Sequence, residues 1–209
     1  MQEIVIIGAA LSGLSLAARL SGLPVKIKLI ETNKLEKNLD RDTRTTAIAY
    51  GARKIYEEIG VWDEMQESSV NGIASCPILH IAIQDSYSPV LLDFDSDELQ
   101  DEPMGHIIDN YQLKRTLLDF LKQQENVTVL ENHSLKAIDF DAERNTLHIK
   151  NNANEQVHLE KPDIVLACDG RHSLTRKLAY IETRNHDYGQ SALVGTIKHS
   201  ESHHNQALE

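Results

Sequence analysis

The sequence has few cysteines, a deficit of basic residues and no hydrophobic run long enough for a membrane span. Its two cysteines, Cys76 and Cys168, have neither CxxC nor metal-ligand spacing, which excludes a disulfide scaffold and favours a reducing cytoplasm. Lys and Arg number 21 against 32 Asp and Glu, a net charge of −11, and no charge run is predominantly basic. This balance argues against a nucleic-acid partner.

One uncharged stretch at the N-terminus, residues 4–18, could be mistaken for a targeting signal. It is too short to span a bilayer core of about 30 Å as a helix. Glu3 precedes it, whereas a signal peptide has Lys or Arg at that place. Because Gly8 and Gly13 interrupt the stretch, we predict a turn within it and assign it to the folded protein.

The first 30 residues have the pattern of a strand, a helix and a second strand. Ile4–Ile7 is a short apolar run ended by Gly8, and apolar residues recur at helical spacing from Leu11 until Gly22. Val25–Ile30 then alternates as a strand. Together these segments predict a βαβ unit with parallel strands.

Beyond this unit, apolar periodicity predicts further helices and strands. After a loop over 32–46, the predicted helices are one with the apolar face Ile48, Ala52, Ile55 and Ile59 ended by Gly60, one over Tyr111–Gln123, and a short one from Leu174. The predicted single strands are Val127–Leu130, Ile164–Cys168 and Ser191–Ile197. A strand pair is predicted at Pro77–Gln84 and Val90–Phe94, and a three-stranded meander at Leu135–Phe140, Thr146–Ile149 and Val157–Leu159.

The first chemical motif is Gly8-Ala9-Ala10-Leu11-Ser12-Gly13, followed eighteen residues later by Glu31. In a dinucleotide site, such glycines form the turn, let the pyrophosphate approach the helix N-terminus and allow close helix–strand packing. The acid at the end of the second strand binds a ribose hydroxyl and disfavours a 2′-phosphate. The pattern therefore predicts an FAD or NAD site, although Ala10 replaces the middle glycine. A glycine turn in a nucleotide-free α/β fold is the alternative.

The second motif is Asp169-Gly170-Arg171-His172-Ser173-Leu174-Thr175-Arg176, directly after the apolar strand that ends at Cys168. It combines a carboxylate, a turn glycine, a hydroxyl and a guanidinium at a strand end. A simple turn at Asp169-Gly170 with Ser173 as helix cap is the alternative. His199, His203 and His204 have no acidic or cysteine partner at ligand spacing, so we predict no metal site.

With both motifs, the chain resembles the flavin-dependent aromatic hydroxylases, which are single-component FAD monooxygenases. It is most similar to the branch that hydroxylates polyprenylphenols in ubiquinone biosynthesis, the 2-polyprenyl-6-methoxyphenol hydroxylase type. The resemblance extends over nearly the whole chain and is most specific at 42–65 and 164–177. In the first of these segments it is carried by Asp42, Arg44, Ala47, Ile48, Gly60, Val61 and Trp62.

The resemblance implies FAD as cofactor and assigns residues to it. Gly8, Ala10 and Gly13 match the pyrophosphate turn, and Glu31 matches the acid that binds the adenosine ribose. Further positions implied by the resemblance are Arg44 along the flavin and pyrophosphate, Asn110 close to the flavin, Asp169 and Gly170 at FAD and the nicotinamide nucleotide, and Arg176 at the end of that motif. A helix N-cap is the alternative role for Asn110, and Thr32 departs from the family's usual arginine. No residue is identified as a catalytic base.

The resemblance also implies an α/β fold. We expect a Rossmann-like FAD-binding domain with a parallel sheet and a β-meander over 1–71 and 106–179. Part of a substrate-binding β-sheet region is expected over 72–105 and 180–209. Because family members are roughly twice as long and carry a later Gly-Asp motif, we expect the chain to be truncated and inactive alone.

The implied activity is hydroxylation of a polyprenylated phenol with NAD(P)H and O₂. An FAD-dependent reductase or dehydrogenase without oxygen chemistry, and a non-catalytic dinucleotide-binding fragment, are the alternatives. We expect a cytoplasmic protein with peripheral contact at the inner face of the membrane, or a place in a ubiquinone-biosynthesis complex. The charge of −11 would be repelled by anionic headgroups, so that contact is expected to be apolar or to lie in the missing half.

Overall fold

The fold is described by a computed structural model, which covers residues 1–35, 42–68, 75–84, 91–99, 102–141, 143–195, 197 and 200–209. In chain order its strands are β1 (Gln2–Ile7), β2 (Val25–Ile30), β3 (Thr45–Ala49), β4 (Ser75–Ile78), β5 (His80–Gln84), β6 (Leu91–Asp95), β7 (Gly105–Asp109), β8 (Val127–Leu130), β9 (His133–Asp139), β10 (Thr146–Asn151), β11 (Val157–Glu160), β12 (Ile164–Ala167) and β13 (Gln206–Leu208). Its helices are α1 (Leu11–Ser21), α2 (Tyr50–Glu58), α3 (Val61–Glu67), α4 (Asn110–Lys122) and α5 (Leu174–Leu178), with a 3₁₀ helix at Ser96–Leu99.

The chain forms two compact units. The first unit contains Met1–Asp42 and Leu117–Ser191, and the second contains Thr43–Thr116 and Ala192–Glu209. Within the described ranges, no helix is long and apolar enough to cross a membrane. The unit boundaries differ from those of the predicted FAD-binding and substrate-binding regions, whose separate roles stay predictions.

A four-stranded parallel sheet forms the centre of the first unit, in the order β12-β1-β2-β8. Strands β1 and β2 pair over six residues, and Ile6 and Leu29 are completely buried between their neighbours. Helix α1 contacts both strands and buries Leu14, Ala17 and Ala18. The predicted βαβ unit is therefore confirmed, because its apolar strands and the apolar stripe of the helix bury one another.

The predicted meander is also confirmed. Strands β9, β10 and β11 form an antiparallel sheet, in which β10 pairs with both neighbours. The side chains of this sheet that face the core pack against the ends of the parallel strands. The shared buried cluster consists of Val5, Ile7, Ile30, Leu135, Leu147 and Ile149. This cluster fixes the meander to the carboxyl-terminal half of β1 and β2.

The second unit contains two three-stranded sheets, β3-β7-β4 and β13-β5-β6. The predicted strand pair is confirmed for β5 and β6, which pair antiparallel, while its connection, residues 85–90, lies outside the described residues. The predicted start at Pro77 is wrong, because Pro77 and Ile78 belong to β4 and pair with β7. Helices α2 and α3 contact each other, and α3 buries Trp62 and Met65. Between them Gly60 has φ +78°, a left-handed conformation that favours glycine and is common where a helix ends.

Two sequence predictions for the segment around β3 have the wrong boundaries. The helix predicted on the face Ile48, Ala52, Ile55 and Ile59 begins only at Tyr50, because Ile48 belongs to strand β3. Ile55 is 44% exposed, and Tyr56 is the residue that α2 buries. The loop predicted over 32–46 consequently ends in a strand, and its residues 36–41 lie outside the described residues.

The C-terminal strand was predicted at the wrong place. Residues 191–195 and 197 form no strand, and Leu193 and Val194 are exposed, since no neighbouring strand pairs with them among the described residues. Gln206–Leu208 forms β13 instead and pairs in parallel with β5.

Strand β7 was not predicted, although it is the central strand of its sheet. Its pairing with Thr45–Ala49 and Ser75–Ile78 is a long-range contact without a local signal.

The first prediction concerns the packing of α1. A Cβ atom added to Gly13 would lie 1.8 Å from the Gly8 carbonyl oxygen, so Gly13→Ala must separate helix and strand. We expect the free energy of unfolding to fall by about 3 kcal/mol, measured by urea denaturation. Gly22→Ala is the matched control at the other end of α1, because nothing lies within 4 Å and φ is −73°. Equal stability of the two variants would contradict the close approach.

The second prediction concerns His106 in the second unit. Its ring is buried edge-on against Trp62, with centroids 5.0 Å apart, and among the described residues its Nδ1 has no hydrogen-bond partner. Burial lowers the pKa of His106 below its ordinary value of 6.5, and Arg53 lowers it further, while Glu57 and Glu102 oppose these effects. The unfolded chain therefore binds a proton more readily, and the stability present above pH 6.5 is lost as the pH falls.

We expect the fluorescence of Trp62, the single tryptophan, to report an unfolding temperature that decreases from pH 7 to pH 5. His106→Phe keeps an aromatic ring beside Trp62 but removes the titrating group, so the decrease should become shallower. His172→Ala, at an exposed turn of the first unit, is the control and should leave the profile unchanged. A profile unaffected by His106→Phe would contradict the prediction.

Candidate functional site

Three predicted motif segments meet at the carboxyl edge of the parallel sheet. The glycine turn follows β1, Glu31 follows β2, and Asp169-Gly170 follow β12. Because β12, β1 and β2 are neighbours in the sheet, these segments lie side by side. This edge is where open α/β sheets bind their ligands.

The glycine turn is fixed by backbone contacts on both sides. Gly8 has φ +100°, and its N–H donates to the Ile30 carbonyl oxygen at 2.8 Å. A Cβ atom on Gly8 would lie 2.5 Å from the Cys168 carbonyl oxygen, so the residue after β12 leaves no space for a side chain. Ala10 has extended backbone and is exposed, so its methyl group does not disturb this packing.

The N-terminus of α1 fits the pyrophosphate of FAD. Among the described residues, no side chain caps the helix at Ala10, and its first turn has no acidic residue. Ser12 is exposed in this turn, and Leu11 is partly exposed. No side chain among the described residues therefore caps this helix end, which leaves it open to an anion at the positive end of the helix dipole.

Glu31 lies directly beside this helix end. Its Oε2 accepts a hydrogen bond from the Ala9 N–H at 3.0 Å, and its Oε1 accepts one from the Asn33 N–H at 3.0 Å. A carboxylate offers about four acceptor positions. The two bonds, with a longer one from the Asn33 side-chain Nδ2 to Oε1 at 3.5 Å, hold the side chain in place. They leave capacity for a hydroxyl group of a ribose, which fits the adenosine side of FAD.

Asp169 organises the turn between β12 and α5. Its Oδ1 accepts from the Ser173 hydroxyl at 2.5 Å, and its Oδ2 accepts from the N–H and hydroxyl of Thr175 at 2.9 and 3.0 Å. Partial burial by itself would raise the pKa of Asp169, but these donors outweigh it and hold the pKa below its ordinary value. Burial and the charge of Asp169 raise the pKa of the adjacent Cys168 thiol. Asp169 is thus an ionised carboxylate beside a neutral thiol.

The rest of the second motif follows from this turn. Gly170 has φ +78°, a left-handed conformation that favours glycine. The Ser173 oxygen caps α5 by accepting the Arg176 N–H at 2.9 Å, so the cap predicted as the simpler alternative is present. The Arg176 guanidinium donates to the Arg171 carbonyl oxygen at 2.7 Å. Asp169, Gly170 and Arg176 line an open groove of about 770 Å³ along β12.

Arg44 and Asn110 belong to the second unit. The Asn110 N–H donates to the Arg44 carbonyl oxygen at 3.0 Å, and its side-chain Oδ1 accepts from the Thr46 hydroxyl at 2.5 Å. The alternative helix-cap role of Asn110 is wrong, because Asp109 accepts the N–H groups of Tyr111 and Gln112. The roles predicted for Arg44 and Asn110 at the flavin stay predictions.

Sequence reasoning did not identify the donors that hold the two carboxylates. Ala9 and Asn33 donate to Glu31 through backbone N–H groups, which no residue type reveals, and the Asn33 side chain adds a longer bond of 3.5 Å. Thr175 lies inside the second motif, two residues after Ser173. Its hydroxyl is a signal from which a bond to Asp169 could have been predicted. Asn152, which donates from its side chain to the Thr32 carbonyl oxygen, is 120 residues away in sequence.

Curated relatives match nearly the whole chain. The chain is 30% identical over 219 residues to ubiquinone hydroxylase UbiM of Neisseria meningitidis, covering 99% of this chain and 44% of the relative. It is 31% identical over 209 residues to ubiquinone hydroxylase UbiL of Rhodospirillum rubrum, covering 99% and 46%. The chain thus spans about half the length of these curated relatives.

Solved structures share the fold. The p-nitrophenol 4-monooxygenase PnpA of Pseudomonas putida matches with a TM-score of 0.67 and 19% identity over 86% of this chain and 44% of that chain. The flavin-dependent monooxygenase PieE, solved in complex with FAD and substrate, matches with a TM-score of 0.67 and 14% identity over 87% and 32%. The family model described as FAD binding domain matches residues 1–206. The chain therefore belongs to the FAD binding domain family, which confirms the expected fold class and cofactor.

Proposed function

We propose that this chain acts in the FAD-dependent hydroxylation of a polyprenylated phenol in ubiquinone biosynthesis, with NAD(P)H and O₂ as co-substrates. The observation that carries the proposal is the meeting of the glycine turn, Glu31 and Asp169-Gly170 at one edge of the sheet. Relatives over the whole chain are named ubiquinone hydroxylases, which supports the reaction and the substrate class. Bound FAD would supply the transfer of electrons from NAD(P)H and the activation of O₂.

The residues of the chain would bind and orient the cofactor. The N-terminus of α1 with Gly8, Ala10, Leu11, Ser12 and Gly13 would hold the pyrophosphate, since no side chain among the described residues caps this helix end. Glu31 would accept hydrogen bonds from the adenosine ribose. Asp169, Gly170 and Arg176 would contact FAD or the nicotinamide nucleotide. Arg44 and Asn110 would contact FAD on its flavin side.

The substrate class also bears on the place of action. A polyprenyl tail partitions into lipid, so we propose a cytoplasmic protein with peripheral contact at the membrane. The net charge of −11 disfavours anionic headgroups, and this contact would therefore be apolar.

Purified native enzyme that includes this chain, reconstituted with FAD, tests the activity. We expect a yellow protein whose flavin absorbance is bleached by NADH or NADPH and returns in air, with a hydroxylated polyprenylphenol detected by mass spectrometry. Bleaching and reoxidation without a hydroxylated product would favour the reductase or dehydrogenase alternative. FAD binding without bleaching would favour a dinucleotide-binding fragment without catalysis.

A variant of Glu31 tests the cofactor site independently of turnover. Glu31→Ala removes the acceptor proposed for the ribose, and each charge-assisted hydrogen bond is worth about 1.5–3 kcal/mol. We therefore expect the Kd for FAD, measured by flavin fluorescence, to increase about 10- to 150-fold. Glu125→Ala removes an exposed acid after α4 and is the control for the change in net charge. An unchanged Kd in Glu31→Ala would contradict the ribose assignment.

A further inference from the structure

The segment after β2 is held from outside by Asn152, in the turn that follows β10. The Asn152 side-chain Nδ2 donates to the Thr32 carbonyl oxygen at 3.1 Å. Thr32 directly follows Glu31, so this bond ties the meander to the residue next to the carboxylate proposed to bind ribose. The meander thereby reaches the candidate cofactor site through a side chain.

Asn152 is itself fixed by two other bonds. Its Oδ1 accepts from the Ser134 hydroxyl at 2.8 Å, and its backbone N–H donates to the Asn132 carbonyl oxygen at 2.6 Å. Because the Thr32 carbonyl can only accept, the amide of Asn152 must direct its NH₂ group toward Thr32. The side chain thus has one orientation that satisfies both of its partners.

The bond from Asn152 acts on the same peptide unit that holds Glu31. The Thr32 carbonyl and the Asn33 N–H belong to one planar peptide group. The Asn33 N–H donates to Glu31 Oε1 at 3.0 Å. Fixing the carbonyl of this group therefore also fixes the direction of its N–H, and with it the position of the carboxylate.

The neighbouring carbonyls are held differently. The Glu31 carbonyl oxygen accepts from the His133 N–H at 2.9 Å, and the Asn33 carbonyl oxygen accepts from the Asn132 N–H at 3.4 Å. Both donors are backbone groups of the strand connection before and at the start of β9, which substitutions leave in place. The Thr32 carbonyl oxygen between them accepts instead from a side chain, that of Asn152. A substitution of Asn152 can therefore change the orientation of the Thr32–Asn33 peptide.

We propose that Asn152 is a positioning residue for Glu31. By holding the Thr32–Asn33 peptide, it directs the Glu31 carboxylate toward the adenosine ribose and so raises the affinity for FAD. This inference depends on the ribose contact of Glu31 assigned under the proposed function. Asn152 itself need not touch FAD.

A double-mutant cycle with FAD as the probe tests this coupling. We expect Asn152→Ala to increase the Kd for FAD about 3- to 10-fold, the usual effect of one lost hydrogen bond. In the Glu31→Ala background the same substitution should change the Kd by less than about 1.5-fold, because the carboxylate it positions is gone. Asn154→Ala, which removes the contacts of Asn154 with Gln156 in the same turn, is the matched control and should not change the Kd.

A second readout follows the peptide directly. Hydrogen exchange of the Asn33 amide, measured by NMR without FAD, should be faster in Asn152→Ala than in Asn154→Ala. Asn152→Asp keeps the size and the acceptor for Ser134 but removes the donor to Thr32. It should reproduce the effect of Asn152→Ala on amide exchange, and it replaces that variant if the alanine variant does not fold.

The outcomes separate this inference from the proposed site. An increase in Kd on Asn152→Ala that is equal with and without Glu31 would overturn the positioning role, as would an unchanged Kd or unchanged Asn33 exchange. If Glu31→Ala alone lowers FAD affinity while Asn152→Ala does not, the ribose assignment stands and only the positioning role fails. If Glu31→Ala has no effect, the ribose assignment fails and the positioning role fails with it.

Discussion

Helix α1 begins directly against the end of strand β1, and this approach is possible only because Gly8 and Gly13 have no side chains. A Cβ atom on either glycine would lie within 2.5 Å of a backbone oxygen, that of Gly8 for Gly13 and that of Cys168 for Gly8. The contact brings the positive end of the helix dipole to the same sheet edge at which β2 and β12 end. The geometry of the candidate cofactor site therefore depends on it.

The two carboxylates at this edge have different capacities. Asp169 accepts three hydrogen bonds from the first turns of its own loop and helix, which depress its pKa and leave little acceptor capacity. Glu31 accepts two from backbone N–H groups that orient it, and a longer one of 3.5 Å from the Asn33 side chain. A carboxylate thus stabilises a turn in one place and remains available for a ligand in the other.

Much of the first unit could be predicted from the sequence, because its signals are local. The apolar runs of β1, β2 and β12, the helical spacing of α1 and the turns of the meander all lie within short windows, and the structure confirms them. The second unit was predicted less well. Strand β7 forms by pairing with residues far away in the chain, and Ile48 and Ile55 have a helical spacing that the tertiary pairing of β3 overrides.

The sequence by itself determined the order of the elements, the glycine turn, and the identity of the two motif acids, since each depends on residues that are close in the chain. The donors to Asp169 and the Asn33 donor to Glu31 are local, whereas the tertiary structure alone decided the two long-range bonds of the Glu31 segment. The bond from the Ala9 N–H to Glu31 and the bond from Asn152 to Thr32 depend on the strand order β12-β1-β2-β8 and on the packing of the meander. Hydrogen bonds between residues 22 or 120 positions apart have no local pattern, because only folding brings their partners within reach.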